Sequence, residues 1–156
     1  MPREGQFVDT LAVIGVGLIG GSLAGALKEC GAVGCVVGCG RSTENLEAAA
    51  QRGLIDRYTT DPIVAVAEAD LVLLATPVNA LIQNLPTLAK HVRPDAIITD
   101  AGSVKCEVIN AARTTLGETF ERFVPGHPIA GREKSGSQAA VTDLFRDHWV
   151  VLTPLE

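Results

Sequence analysis

The stretch Pro125-Gly-His127-Pro-Ile-Ala-Gly131-Arg132-Glu133-Lys-Ser135-Gly concentrates a histidine, an acid and two bases among residues that shape backbone. An imidazole with the ordinary pKa of about 6.5 can take a proton from an alcohol near neutral pH. A histidine set between Gly126 and Pro128 is a poor core residue, so its alternatives are a turn or a surface position. His91 ends a helical stretch and His148 sits among charges, and neither is assigned a role.

A second stretch binds rather than reacts. The β-forming run Ala12-Val-Ile enters Gly15-Val-Gly17-Leu18-Ile19-Gly20 and then an apolar helix. That order is the dinucleotide-binding fingerprint: Gly15 for a tight turn, Gly17 for close approach of backbone to a pyrophosphate, Gly20 for packing of helix on strand. The helix N-terminus offers unpaired N–H groups and partial positive charge to the phosphates. About twenty residues further on, an acid usually receives the adenosine ribose hydroxyls. Here Gly40-Arg41-Ser42-Thr43 stands instead. Without the acid a 2′-phosphate meets no repulsion, and Arg41 adds a fork of donors while Ser42 and Thr43 add hydroxyls. The expectation is NADP in preference to NAD, with dual use also open; the alternative is that Arg41 is a solvated loop charge stacking on adenine.

The elements that must position these residues alternate along the chain. Strands are predicted at Thr10 to Ile14, Cys35 to Cys39, Arg57 to Thr60, Leu71 to Ala75, Ala96 to Thr99, Phe123-Val124 and Trp149 to Thr153. Helices are predicted at Leu18 to Cys30, Thr43 to Arg52, Asp61-Pro62 to Ala69, Leu81 to His91 with a kink or break at Pro86, Val104 to Thr115, and around Gln138 to Leu144, with a loop over Pro125 to Ser135. Such alternation gives an α/β fold, a doubly wound, Rossmann-type, mostly parallel sheet with helices on both faces. Ligands then sit outside the carboxyl ends of the strands. Gly15 to Gly20, Gly40 to Ser42, Thr76-Pro77, Asp100 to Ser103 and Gly126-His127 all follow strands, so one crevice is expected to hold them.

Composition agrees. A chain of 156 residues, 47% hydrophobic with only 4% aromatic, has the aliphatic core that a doubly covered sheet requires. A net charge of -5 without basic clusters argues against nucleic acid. Residues 11–27 are uncharged but short and glycine-rich, so no membrane span is expected, and no secretory leader is read at the start. The expected compartment is the cytoplasm, with Cys30, Cys35, Cys39 and Cys106 as free thiols, and with Cys35 and Cys39 as buried small hydrophobes on one strand face rather than metal ligands.

Taken together, Gly15 to Gly20, Ala75-Thr76-Pro77, Thr99-Asp-Ala-Gly-Ser-Val-Lys105, Gly126-His-Pro-Ile-Ala-Gly131, Glu133-Lys-Ser-Gly136 and Leu152-Thr-Pro154 closely resemble the prephenate/arogenate dehydrogenase family of tyrosine biosynthesis. The resemblance runs from about residue 10 to 154. It implies NAD(P)-dependent oxidative decarboxylation of a cyclohexadienyl alcohol, prephenate or arogenate. His127 matches the family's catalytic histidine, and Ser103 the serine that orients the substrate hydroxyl and that histidine; an N-cap for a helix beginning at Val104 is the structural alternative for Ser103. Thr76 and Pro77 match the loop beside the nicotinamide ribose, or simply stop a strand. Asp100 and Gly102 fall in the cofactor loop. Lys105, Gly131 and Glu133 match the substrate side, and Lys105 is expected to meet Asp100, Glu133 or substrate because a cation in a helix's first turn opposes the dipole. Arg132 stands where relatives carry a small hydroxyl residue, which leaves its substrate contact doubtful; a surface charge pair is the alternative for Arg132 and Glu133.

Members of that family continue into a helical domain that dimerises, closes the cleft and supplies a carboxylate-binding arginine. The resemblance therefore implies that this chain is one dinucleotide-binding domain, its core about residues 8–154. It is read as a fragment of a homodimeric protein rather than a truncated product or a minimal module, able to fold and bind dinucleotide but turning over poorly. The competing functions are another NAD(P)-dependent oxidoreductase, of imine reductase or 3-hydroxyacid dehydrogenase type, and a dinucleotide-sensing module without catalysis.

Overall fold

A computed structural model describes residues 5–131, 133 and 135–155. In chain order β1 (Val8–Ile14), α1 (Leu18–Glu29), β2 (Val33–Cys39), α2 (Thr43–Gln51), β3 (Arg57–Thr59), α3 (Pro62–Val66), β4 (Leu71–Leu74), α4 (Val78–Leu88), β5 (Ile97–Asp100), α5 (Lys105–Thr115) and β6 (Phe123–Val124) build the main body. The six strands form one parallel sheet in the order β3-β2-β1-β4-β5-β6. Strand order therefore reverses between β1 and β4, the place where such sheets open a ligand crevice.

Alternation along β1 explains the layering. Leu11 and Val13 point to one face, with Val36, Ala24 and Leu46 of the β2, α1 and α2 layer. Ala12 and Ile14 point to the other, with Val66, Leu81, Leu85 and Val108 of α3, α4 and α5. A strand covered on both faces has no polar side to show, which is why β1, β2 and β4 are nearly unbroken apolar runs. Local caps fix the helix starts: Ser42 Oγ accepts from Asn45 N at 3.2 Å, and Asp61 accepts from Ile63 N at 2.9 Å with Pro62 at the first helical position.

Four expectations are corrected. Helix α4 starts at Val78 rather than Leu81, runs through Pro86, and ends at Leu88 rather than His91. The segment after β6 is not a plain loop: β7 (Gly126–Pro128) pairs antiparallel with β8 (Val150–Leu152), so the final strand lies in a separate two-stranded ribbon outside the main sheet. The helix around Gln138 to Leu144 shrinks to a 3₁₀ turn, Ser137–Ala139. The backbone groups of this segment go elsewhere: Ala140 O accepts from Arg52 at 2.6 Å, Ser137 O accepts from the same guanidinium, and Val141 N donates to Ser22 Oγ at 3.0 Å. Finally, all four thiols are free as expected, but of the pair expected to be buried only Cys39 is, Cys35 being half-buried; Cys30 and Cys106 are exposed. Among the described residues no helix is long and apolar enough to cross a membrane.

Candidate active site

Because the strands are parallel, their carboxyl ends share one edge, and the predicted loops meet there. Gly15 leaves β1 with φ +102°, a conformation that L side chains rarely adopt, and a Cβ there would stand 2.7 Å from the Ala75 carbonyl oxygen at the end of β4. A Cβ on Gly20 would overlap the Gly15 carbonyl oxygen, so helix and loop touch only because the side chain is absent. Gly17, in contrast, faces open space. It occupies the N-cap of α1 with no side chain capping the helix and no acid in the first turn. The free N–H groups around Leu18 and Ile19 are thus left for a ligand, as an anion site requires.

Thr76 adds a second open valence. Its Oγ1 is buried and has no hydrogen-bond partner among the described residues. A buried hydroxyl without a partner costs stability, so its persistence beside Gly15 fits a polar ligand that completes it. Pro77 follows at the N-cap of α4, so this loop does begin a helix as well as ending a strand. Across the switch point, the half-buried Gly40 is followed by Arg41, Ser42 and Thr43, all exposed; Arg41 makes no hydrogen bond or ion pair among the described residues, while Ser42 already caps α2. These features together fit a nucleotide held at the glycine loop, with Thr76 and Arg41 left open toward it.

On the other side of the switch point, charge is consumed internally. Asp100, fully buried at the end of β5, accepts from Gly102 N at 2.9 Å and Gly126 N at 3.2 Å and pairs with the Lys105 ammonium. Lys105 also donates to Gly126 O at 2.6 Å, and its side chain is only 16% exposed. Of the partners expected for Lys105, the fold supplies Asp100: a cation in the first turn of α5 needs a counter-charge. Together the two hold the backbone of Gly126, N–H and C=O alike.

That clamp matters because His127 is the next residue. It sits half-buried on β7 opposite Val151, so a strand ladder and the Asp100–Lys105 pair together fix its backbone. Ser103 flanks the same knot next to Gly102. Its side chain is exposed and does not cap α5, whose N-cap position is Val104 without a side-chain bond, so the capping alternative falls. No hydrogen bond joins Ser103 to His127 among the described residues. Gly131 and Glu133 lie exposed beyond β7; Arg132 lies outside the described residues. An apolar cavity of about 80 Å³ lies between α1 and the β7–β8 ribbon, lined by Ile19, Leu23, Leu73, Phe145 and Leu152. A larger hollow of about 400 Å³ lies by Tyr58, Ile63 and Val64 at the β3 edge and holds none of the predicted site residues.

Comparison with known proteins decides the family. Residues 23–156 match the family model described as "Prephenate dehydrogenase, nucleotide-binding domain". The chain belongs to the family of prephenate dehydrogenase nucleotide-binding domains. It is 39% identical to a prephenate dehydrogenase of Bacillus subtilis over 150 residues, 96% of this chain and 40% of that protein. It is 41% identical to a cyclohexadienyl dehydrogenase of Zymomonas mobilis over 144 residues, 92% of this chain and 48% of that protein. The crystal structure of prephenate dehydrogenase from A. aeolicus in complex with hydroxyphenyl propionate and NAD+ superposes with a TM-score of 0.86 at 36% identity, covering 95% of this chain and 51% of that one. The chain thus spans about half, or less, of the length of these family members. The family match covers every predicted site residue from Gly40 onward but begins after the glycine loop.

Sequence reasoning missed one residue of this edge. Asn45, in the first turn of α2, donates from Nδ2 to Val16 O at 2.7 Å, inside the glycine loop. An asparagine three residues after a serine cap reads as ordinary helix surface, and nothing in its spacing announces the contact.

Proposed function

We propose that this chain is the dinucleotide-binding half of an NAD(P)-dependent dehydrogenase that oxidises and decarboxylates prephenate or arogenate. The observation that carries the reading is His127, held on the ligand edge of the sheet by a buried ion pair that grips both backbone groups of its neighbour. A bound nicotinamide dinucleotide supplies the hydride acceptor. His127 takes the ring hydroxyl proton as hydride leaves the same carbon, and Ser103 orients that hydroxyl. The ring carboxylate departs as carbon dioxide; its bonding pair completes the aromatic ring and leaves an anionic phenol oxygen, to which the proton on His127 returns. Glu133 stands near the substrate entrance, with Gly131 on the same substrate side.

NADP is the preferred dinucleotide: Arg41 is exposed and unengaged among the described residues, and the end of β2 reads Cys39-Gly40-Arg41, without the acid that would repel a 2′-phosphate. A second domain supplies the opposite wall of the cleft and the contacts that make a homodimer, so this chain alone binds dinucleotide and turns over slowly. Exposed thiols at Cys30 and Cys106 support a reducing compartment, the cytoplasm.

The test is His127→Asn in the full-length protein, assayed with prephenate and arogenate and with both dinucleotides. Turnover is expected to fall by several orders of magnitude while dinucleotide affinity stays within about twofold, and the wild type is expected to favour NADP. Near-normal turnover in the variant removes the assigned role of His127, and a clear preference for NAD removes the assigned role of Arg41.

A further inference from the structure

Gly131 and Glu133, between β7 and the Ser137–Ala139 turn, are flanked along the chain by two anchored segments. The near anchor is the Asp100–Lys105 grip on Gly126. The far anchor is Ser137, fully buried, and its partner is Asn45: Ser137 N donates to Asn45 Oδ1 at 2.8 Å, and Ser137 Oγ donates to the Asn45 carbonyl at 2.9 Å. The same Asn45 side chain reaches the other way with Nδ2 and holds Val16 O at 2.7 Å. This peptide is the middle of the glycine loop. Its N–H, on Gly17, donates to Gly15 O at 3.0 Å, so the Val16–Gly17 peptide plane is fixed from both sides. Asn45 N in turn donates to Ser42 Oγ, which ties Ser42, the residue after Arg41, to the same asparagine.

We infer that Asn45 is a positioning residue that couples the two ligand sites. One amide sets the peptide plane facing the pyrophosphate and simultaneously pins the far end of the loop bordering the substrate. The inference rests on the dinucleotide reading above. An amide is suited to this: its planar group carries a donor and an acceptor on separate atoms, so it holds a carbonyl on one side and an N–H on the other. Arg52 supplies the contrast. It also secures the 137–140 segment, through the carbonyls of Ser137 and Ala140, but makes no hydrogen bond to the glycine loop among the described residues.

The experiment compares Asn45→Ala, Ser137→Ala and Arg52→Ala in the full-length protein, titrating NADP+ and NAD+ by calorimetry and measuring prephenate KM and kcat at saturating dinucleotide. Thermal unfolding monitors folding of each variant. Asn45→Ala is expected to raise the dinucleotide Kd about tenfold and the prephenate KM severalfold. Ser137→Ala and Arg52→Ala are expected to raise the prephenate KM while leaving the dinucleotide Kd within about twofold. If Asn45→Ala binds dinucleotide like the wild type, the coupling is absent. If Arg52→Ala weakens dinucleotide as much as Asn45→Ala, general loosening of the segment explains the effect and the inference is overturned. A wild type that binds neither dinucleotide defeats the underlying functional reading instead, and that result is distinct from the other two.

Discussion

The two ends of the parallel sheet treat polar groups in opposite ways. At the amino ends of the strands carboxylates are saturated: Asp70, just before β4, accepts from Thr10 N at 2.8 Å and from Arg93 at 2.9 Å, and Asp56, just before β3, accepts from Val36 N at 2.7 Å and from Lys28 at 2.6 Å. At the carboxyl ends Thr76 Oγ1 is buried without a partner, and Arg41, Ser103 and His127 form no side-chain hydrogen bonds among the described residues. Saturated groups lock strands together and have nothing left to offer. Unsaturated ones cost stability and keep their valences for a ligand. Asp100 is the exception at the ligand edge, and its saturation serves placement of the residue before His127.

Asp100 is therefore where the contrast breaks most severely. Asp100→Asn removes the counter-charge of a mostly buried ammonium, and losing one partner of a buried pair costs on the order of 3–5 kcal/mol. For a domain of this size each kcal/mol moves the midpoint by roughly 2–4 °C, so thermal unfolding is expected to fall on the order of 10 °C. Turnover of the full-length protein should fall with it, because Gly126 and then His127 lose their anchor. A midpoint shift within about 2 °C would mean that the pair contributes no more than a surface ion pair and that the grip on Gly126 lies elsewhere.

A crossed pair of substitutions sharpens the comparison at intermediate cost. Asp70→Ala leaves the Thr10 N–H and the Arg93 guanidinium without their acceptor and is expected to cost about 1–3 kcal/mol, with dinucleotide affinity unchanged. Thr76→Val replaces an unpaired buried hydroxyl by a methyl of similar shape, so stability is expected to hold or rise while the dinucleotide Kd rises severalfold. Denaturant unfolding and calorimetric titration of both variants read the two effects. The reverse outcome, affinity lost at Asp70 or stability lost at Thr76, would erase the distinction between the two ends.

Much of the ligand edge was legible because its information is local. A tight turn needs Gly15, a strand buried on both faces needs an unbroken apolar run such as Leu71-Val-Leu-Leu, and a parallel sheet gathers whatever follows its strands. What was hidden depends on partners distant in sequence. Gly126 and Pro128 disguise β7 as loop, since its ladder is completed only by Val150–Leu152. The helix expected near Gln138 fails because Arg52 and Ser22 take the backbone groups it would have used. Lys105 was expected to meet an acid or substrate, but only the fold shows that the acid is Asp100 and that both grip Gly126. Pro86 is read as a kink or break in α4; it does not break the helix, which runs on to Leu88.

The smallest effect lies just beneath the ligand edge, where Cys39 ends β2 in the core while Cys106 stands exposed at the start of α5. Burial, aided by the nearby Asp61 carboxylate, pushes the Cys39 thiol up from 9.0 to about 11. In the unfolded chain the thiol ionises from its ordinary value, while the folded chain keeps the proton. Folding is thus unaffected by this group below pH 9, and its stability contribution is lost as pH rises from 9.0 toward 11. The full loss is on the order of 2 kcal/mol. Cys39→Ala supplies the measurement: at pH 8 the variant is expected to be less stable than the wild type by the cavity it opens, and by about pH 10.5 that gap should narrow or reverse. A gap that stays constant between the two pH values would show that the Cys39 thiol ionises as freely as an exposed one, and that the sheet beneath the glycine loop admits water.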